Sequence, residues 1–178
     1  PGTTKALGLL YQWGRKDPFL GSLSITESIE SKSTIEVWTT LNSYSESGTI
    51  EYATKNPTKF LSYNTNNYDW YYTGNSTTDN TRWQSKKTIY DPCPAGYRVP
   101  DGGNNCIWNT SGFSSMTYDD TNKGISVSIS ASSNTWYPAS GSLYASYGGL
   151  HGVGSAGEYW SVTPDGYYAH NLTFFMLS

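Results

Sequence analysis

Apolar and polar residues alternate without a break from Ile125 to Ser130, and that period of two predicts a strand with one buried face. Shorter runs predict further strands. Residues 6–12 (Ala-Leu-Gly-Leu-Leu-Tyr-Gln) end at Gly14 and Pro18, and Thr135-Trp136-Tyr137 closes at Pro138. Glu158-Tyr159-Trp160-Ser161-Val162 leads into Pro164-Asp165-Gly166, read as a turn, after which residues 167–177 pair back as the last strand. One stretch is helical in character. Thr49 can cap residues 48–56, Glu51 falls in the first turn, Lys55 lies near the end, and Pro57 forbids continuation.

The remaining stretches read as loop. Residues 23–35 are polar, with Ile25, Ile29 and Ile35 irregularly spaced, and read as extended chain with room for one hairpin. Residues 64–80 are rich in Asn, Thr and Asp, anchored by Tyr68, Trp70, Tyr71 and Tyr72. Three prolines between Asp91 and Pro100 exclude a central strand there. The glycine-rich stretch 141–157 reads as loop, and no long repeat is visible. The pattern as a whole predicts one irregular, loop-rich α+β domain over residues 1–178, with short antiparallel strands and one or two short helices.

Composition narrows what such a domain does. Of 178 residues, 16% are aromatic, including 16 Tyr and 7 Trp, while charged residues make up only 14%. A disordered chain has the opposite bias. With 11 Lys and Arg and a net charge of −3, the chain lacks the basic stripe of a nucleic-acid binder. No apolar run is long enough to span a bilayer, so direct membrane insertion by this chain is not expected. With two histidines, His151 and His170, and no Cys-x-x-Cys spacing, no metal site and no cofactor are expected.

Several motifs then carry a family resemblance. Gly8-Leu9-Leu10-Tyr11-Gln12-Trp13-Gly14-Arg15-Lys16-Asp17-Pro18-Phe19 resembles the opening of a large group of Bacteroidetes surface proteins related to the Fibrobacter major paralogous domain. The resemblance continues in order through Asp79-Asn80-Thr81-Arg82-Trp83, the run from Tyr90 through Cys93 and Tyr97-Arg98 to Gly103, Trp136-Tyr137-Pro138-Ala139-Ser140-Gly141 and Gly157-Glu158-Tyr159-Trp160-Ser161, with Ala169 and Leu172 after them. It implies a C-type-lectin-like fold, shared with formylglycine-generating enzymes and with the variable proteins of diversity-generating retroelements. It also implies an extracellular, outer-membrane-attached lipoprotein or a phage particle component. Members of the group commonly continue into a further strand with an Arg-Cys-Val-like end, whose cysteine would partner Cys93. The chain stops at Ser178 without it, which reads as truncation or as a different disulfide logic.

Cys93 and Cys106 are separated by 12 residues, a spacing that permits a disulfide worth roughly 3 kcal/mol in the chain-entropy model. Export through an oxidising space favours the bond, cytoplasmic assembly favours two thiols, and the bond is the expectation. Tyr97-Arg98 and Tyr159-Trp160 read as core packing. The loop from Asp101 to Asn105 carries oxygen ligands suited to calcium but reads as a turn. Glycosylation patterns start at Asn75, Asn109 and Asn171. No nucleophile elbow, zinc-protease or phosphate-loop motif occurs, so no catalytic residues and no enzyme activity are expected.

Ligand contacts are expected in the segment from Ser142 to Phe175. Tyr144, Tyr147, His151, Glu158, Asp165, Tyr167, Tyr168, His170 and Asn171 lie between apparently structural Gly, Pro, Trp and Leu positions. Tyrosine gives broad contact at low entropy cost and small polar residues give adaptable hydrogen bonds, as in antibody loops. Folding the final hairpin should bring Tyr144, Tyr147, Tyr167 and Tyr168 onto one surface, with Trp160 in the core. The expected activity is non-enzymatic binding of a protein or glycan. The alternatives are an adhesive or structural pilus-type subunit that binds by strand exchange and, third, a carbohydrate-active enzyme.

Overall fold

A computed structural model of the chain describes residues 7–22, 39–65, 67–74, 77–108, 115–130 and 132–176. The hairpin expected within 23–35 and the glycosylation patterns at Asn75 and Asn109 fall outside these residues. The alternating run forms β6 (Gly124–Ser130), the centre of an antiparallel sheet between β5 (Met116–Asp119) and β7 (Ser133–Pro138). Ile125 and Val127 turn inward and meet Ala139 and Phe174, with Tyr118, Tyr137 and Tyr159 around them. Phe174 comes from the final hairpin, so this core joins two sheets.

That hairpin pairs β10 (Ala156–Asp165) with β11 (Tyr168–Phe175) antiparallel, from Ala156 opposite Phe175 to Asp165 opposite Tyr168. The register slips between Trp160 and Pro164, where proline has no N–H to offer the ladder. The turn is Gly166-Tyr167, with Gly166 at φ 61. Pro164 and Asp165, expected in the turn, are strand residues.

The expected loop at 141–157 is a correction of larger consequence. It contains β8 (Ser140–Leu143), β9 (Leu150–Val153) and the start of β10, in a four-stranded sheet of order β11-β10-β8-β9. The glycines are what let the strands approach. Gly141 sits at φ 70, and a Cβ there would overlap the His151 carbonyl oxygen of the neighbouring strand.

In the first half, β1 (Leu9–Leu10) pairs antiparallel with β2 (Phe19–Leu20), and β3 (Thr39–Asn42) pairs parallel with β4 (Lys59–Ser62). Helix α1 (Ile50–Lys55) lies between the latter two. Thr49 accepts from the Tyr52 N–H at 3.1 Å, as its cap position predicts. The C-terminal end of α1 is held by a buried arginine. The Arg15 guanidinium donates to the carbonyls of Lys59 (2.7 Å), Asn56 (3.1 Å), Ala53 and Pro57, and to Gln12 Oε1 (3.0 Å). Arg82 is fully buried. It stacks on Trp13, Trp70 and Tyr71, with its guanidinium 5.1, 5.0 and 5.3 Å from the ring centres, and pairs with Asp69.

The proline-rich stretch 91–100 is organised by the Asp91 carboxylate, which accepts from the N–H groups of Cys93 (2.9 Å) and Val99 (3.0 Å) and from Lys87 Nζ (2.6 Å). This directs Val99 inward against Trp83 and Val162. Tyr97 does not pack as expected. A turn from Pro94, with Gly96 at φ 85, swings its ring out to 72% exposure, and Arg98 beside it is an exposed partner of Asp101. Cys93 and Cys106 are free thiols, which corrects the expected disulfide. Cys93 packs in the Trp83 cluster, whereas Cys106 ends the 3-10 turn Gly103–Asn105 with its N–H on the Gly103 carbonyl. The molecule is β-dominated, built of small sheets and long loops with little helix.

Candidate ligand-binding site

Small sheets cannot cover one another completely, and here they leave a cleft of about 450 Å³ between the N-terminal segment, the 67–70 loop and β10. Its walls are largely apolar, with aromatic rings that include Tyr11, Trp13, Tyr63, Tyr68 and Trp160. Hydrogen bonds fix several of them. Trp160 Nε1 donates to the Tyr11 carbonyl at 2.9 Å, Trp13 Nε1 to that of Ser161 at 2.8 Å, and Trp70 Nε1 to that of Trp13 at 2.8 Å. At the far end, Trp108 Nε1 donates to the Tyr137 hydroxyl at 3.0 Å.

Tyr159, also on the wall, packs against Tyr137 and donates its hydroxyl proton to the Pro138 carbonyl. Burial first, and Tyr137 in addition, push its pKa from 10.0 up to about 12, with Ser140 acting in the opposite sense. The unfolded chain therefore releases this proton before the folded one does. Stability is expected to fall as pH rises from about 10 towards 12, and Tyr159→Phe should remove that part of the slope. Equal alkaline slopes for the two proteins in chemical denaturation would contradict it.

Most polar groups on the wall are already engaged. Gln12 exchanges two hydrogen bonds with Leu61 and accepts from Arg15, and Asp69 pairs with Arg82. Glu158 differs. Its Oε1 accepts from the Ser142 hydroxyl at 3.0 Å, and Ser142 Oγ lies 2.9 Å from His151 Nε2. With its proton directed at Glu158, Ser142 accepts from His151, so the serine is the middle member of the row. That order does not activate a serine nucleophile, which needs the histidine between hydroxyl and acid. Cys93 also lines the cleft, and burial, followed by the Asp91 charge, raises its thiol pKa and keeps it protonated.

Tyrosines gather beside the cleft in two sets. Tyr144 stacks on Tyr147 with ring centres 4.8 Å apart and lies 5.2 Å from the His151 ring. Their loop is closed by Gly148 N–H on the Tyr144 carbonyl at 2.7 Å and docked by Thr40 on the Tyr147 carbonyl. In the second set, Tyr68 stacks on Tyr63 at 5.6 Å and meets Tyr167 at 6.1 Å and Tyr168 at 5.8 Å. Tyr63 connects the sets, because its N–H donates to the Ala145 carbonyl at 3.3 Å.

Of the residues expected to contact ligand, Tyr144, Tyr147, His151 and Glu158 are thus linked through direct contacts and Ser142, and Tyr167 and Tyr168 meet on Tyr68. Asp165 is exposed beside Tyr168, and Asn171 is exposed opposite Trp160. His170 faces the other side of β11 from Asn171, against Gly102, where an added Cβ would lie 2.6 Å from the His170 Cβ. Sequence reasoning placed Tyr68 among loop anchors and passed over Tyr63. The only local signal for either was a ring in a polar stretch. No family model, curated protein or solved structure matches this chain.

Proposed function

We propose that the chain is a non-enzymatic ligand-binding domain with a C-type-lectin-like architecture, displayed on a bacterial surface or a phage particle. The observation that carries this reading is the pair of connected tyrosine sets at the cleft. Tyr68, Tyr144, Tyr147, Tyr167 and Tyr168 are 46–67% exposed, although tyrosine rings are the kind of surface that folding normally covers. Held in place by stacking, they present broad contact area with little rotamer freedom left to lose. The pairing of Asp69 with Arg82 leaves Glu158 as the one carboxylate of the described cleft wall outside an ion pair. This supports a binding role over glycoside hydrolysis, a reaction that uses two available carboxyl groups.

The test is binding of the whole chain to immobilised bacterial-surface glycans and proteins. Each of the substitutions Tyr147→Ala and Tyr167→Ala is expected to weaken the interaction by about 1–2 kcal/mol. Wild-type affinity in both variants would remove the proposal. The strand-exchange reading draws on β11, an eight-residue edge strand. It requires self-association or strand capture, and light scattering of a lasting monomer counts against it.

A further inference from the structure

Glu158 stands apart from Asp69, the other charged residue on the described cleft wall. It is half-buried, and the six ion pairs among the described residues leave it out. Ser142 supplies one neutral hydrogen bond, and His151 reaches the carboxylate only through that hydroxyl. The two buried arginines are engaged elsewhere: Arg15 is spent on backbone carbonyls and Arg82 on Asp69. Trp160, two residues along β10, stands on the same face of the strand as Glu158, and the wall also carries the rings of Tyr11 and Trp13. Aromatic faces attract a cation through their quadrupole, and a partly desolvated carboxylate completes its charge-assisted pairing with an N–H donor.

From this geometry we infer that the cleft accepts an alkylammonium group, the side chain of a lysine on a protein partner, with its methylenes along the rings and its ammonium on Glu158. The inference rests on the reading of this face as a binding surface, and it names the chemistry the cleft selects. The volume of about 450 Å³ accommodates a four-carbon stem and its head group. An anionic ligand would meet the Glu158 charge with no lysine or arginine among the described lining residues to offset it, and a neutral sugar would leave that carboxylate without a counter-ion.

Three six-carbon probes separate these cases: hexylammonium, hexanol and hexanoate, each titrated against the whole chain by tryptophan fluorescence. Hexylammonium is expected to bind about ten-fold more tightly than hexanol, with hexanoate weakest. Added salt should erode the preference for the cation, because the selecting charge lies at the cleft wall. In Glu158→Gln hexylammonium and hexanol should bind alike, and an unchanged melting temperature and tryptophan emission spectrum report that the cleft is still formed. Equal affinity for hexylammonium and hexanol in the wild-type protein, or a preference surviving in Glu158→Gln, would overturn the proposal. Either result leaves the Tyr147→Ala and Tyr167→Ala measurements intact, so failure of the cleft chemistry is separable from failure of the binding-face reading.

Discussion

Replacing Arg82 with alanine is expected to destabilise the protein by about 3–5 kcal/mol, measured by chemical denaturation. The guanidinium is fully buried, and Asp69 opposite it is nearly so, with a side chain 10% exposed. Removing the cation strands a carboxylate in the interior, and it also leaves space between Trp13, Trp70 and Tyr71 where the flat group is stacked. Arg82→Lys should recover little, since an ammonium cannot stack on three rings and still reach Asp69. Arg82→Met combined with Asp69→Asn should be less damaging than Arg82→Ala alone, because it removes both charges. Equal loss in the double variant would show that ring packing, and not the unpaired acid, sets the cost.

The second large effect separates the interior of the final hairpin from its tip. Trp160→Ala is expected to cost about 3 kcal/mol. It removes an indole packed on the Trp83, Val99 and Val162 cluster together with the hydrogen bond that ties β10 to Tyr11. Tyr168→Ala, 67% exposed in the native protein, should cost no more than about 1 kcal/mol, the worth of its contact with Tyr68. Thermal denaturation of both variants decides. A destabilising Tyr168→Ala beside a neutral Trp160→Ala would mean that the hairpin presents its other side to solvent.

Where local rules decide conformation, the sequence was readable. The Thr49 cap, the Pro57 stop, the alternation of β6 and the pairing of the Glu158-Tyr159-Trp160 run with the last strand all follow from neighbours a few positions apart. Residues 141–157 escaped because glycine there serves contacts between strands. Gly141 is needed for its closeness to His151, a relation invisible in its flanking residues. The same limit applies to the candidate site. Its C-terminal tyrosines stood out by composition, but their seat on Tyr68 and Tyr63 depends on contacts across about a hundred residues of chain. Arg82 entered the sequence reading only as part of the Asp79-Asn80-Thr81-Arg82-Trp83 motif, which says nothing of its burial. Its burial is a property of Trp13 and Trp70, brought in from elsewhere.

Arg15 shows what such long connections do to motion. A six-residue helix has too few hydrogen bonds to persist alone, and isolated helices of this length fray from their ends within microseconds. Yet the last turn of α1, the start of β4 and the segment before β2 all converge on one guanidinium. One nitrogen holds Gln12 and Lys59 and the other holds the carbonyls of Ala53, Asn56 and Pro57, so displacing the guanidinium loosens all three at once. The end of α1 is therefore expected to open together with the start of β4, and its amides should exchange with solvent at the rate of that joint opening and not at the rate of a fraying helix.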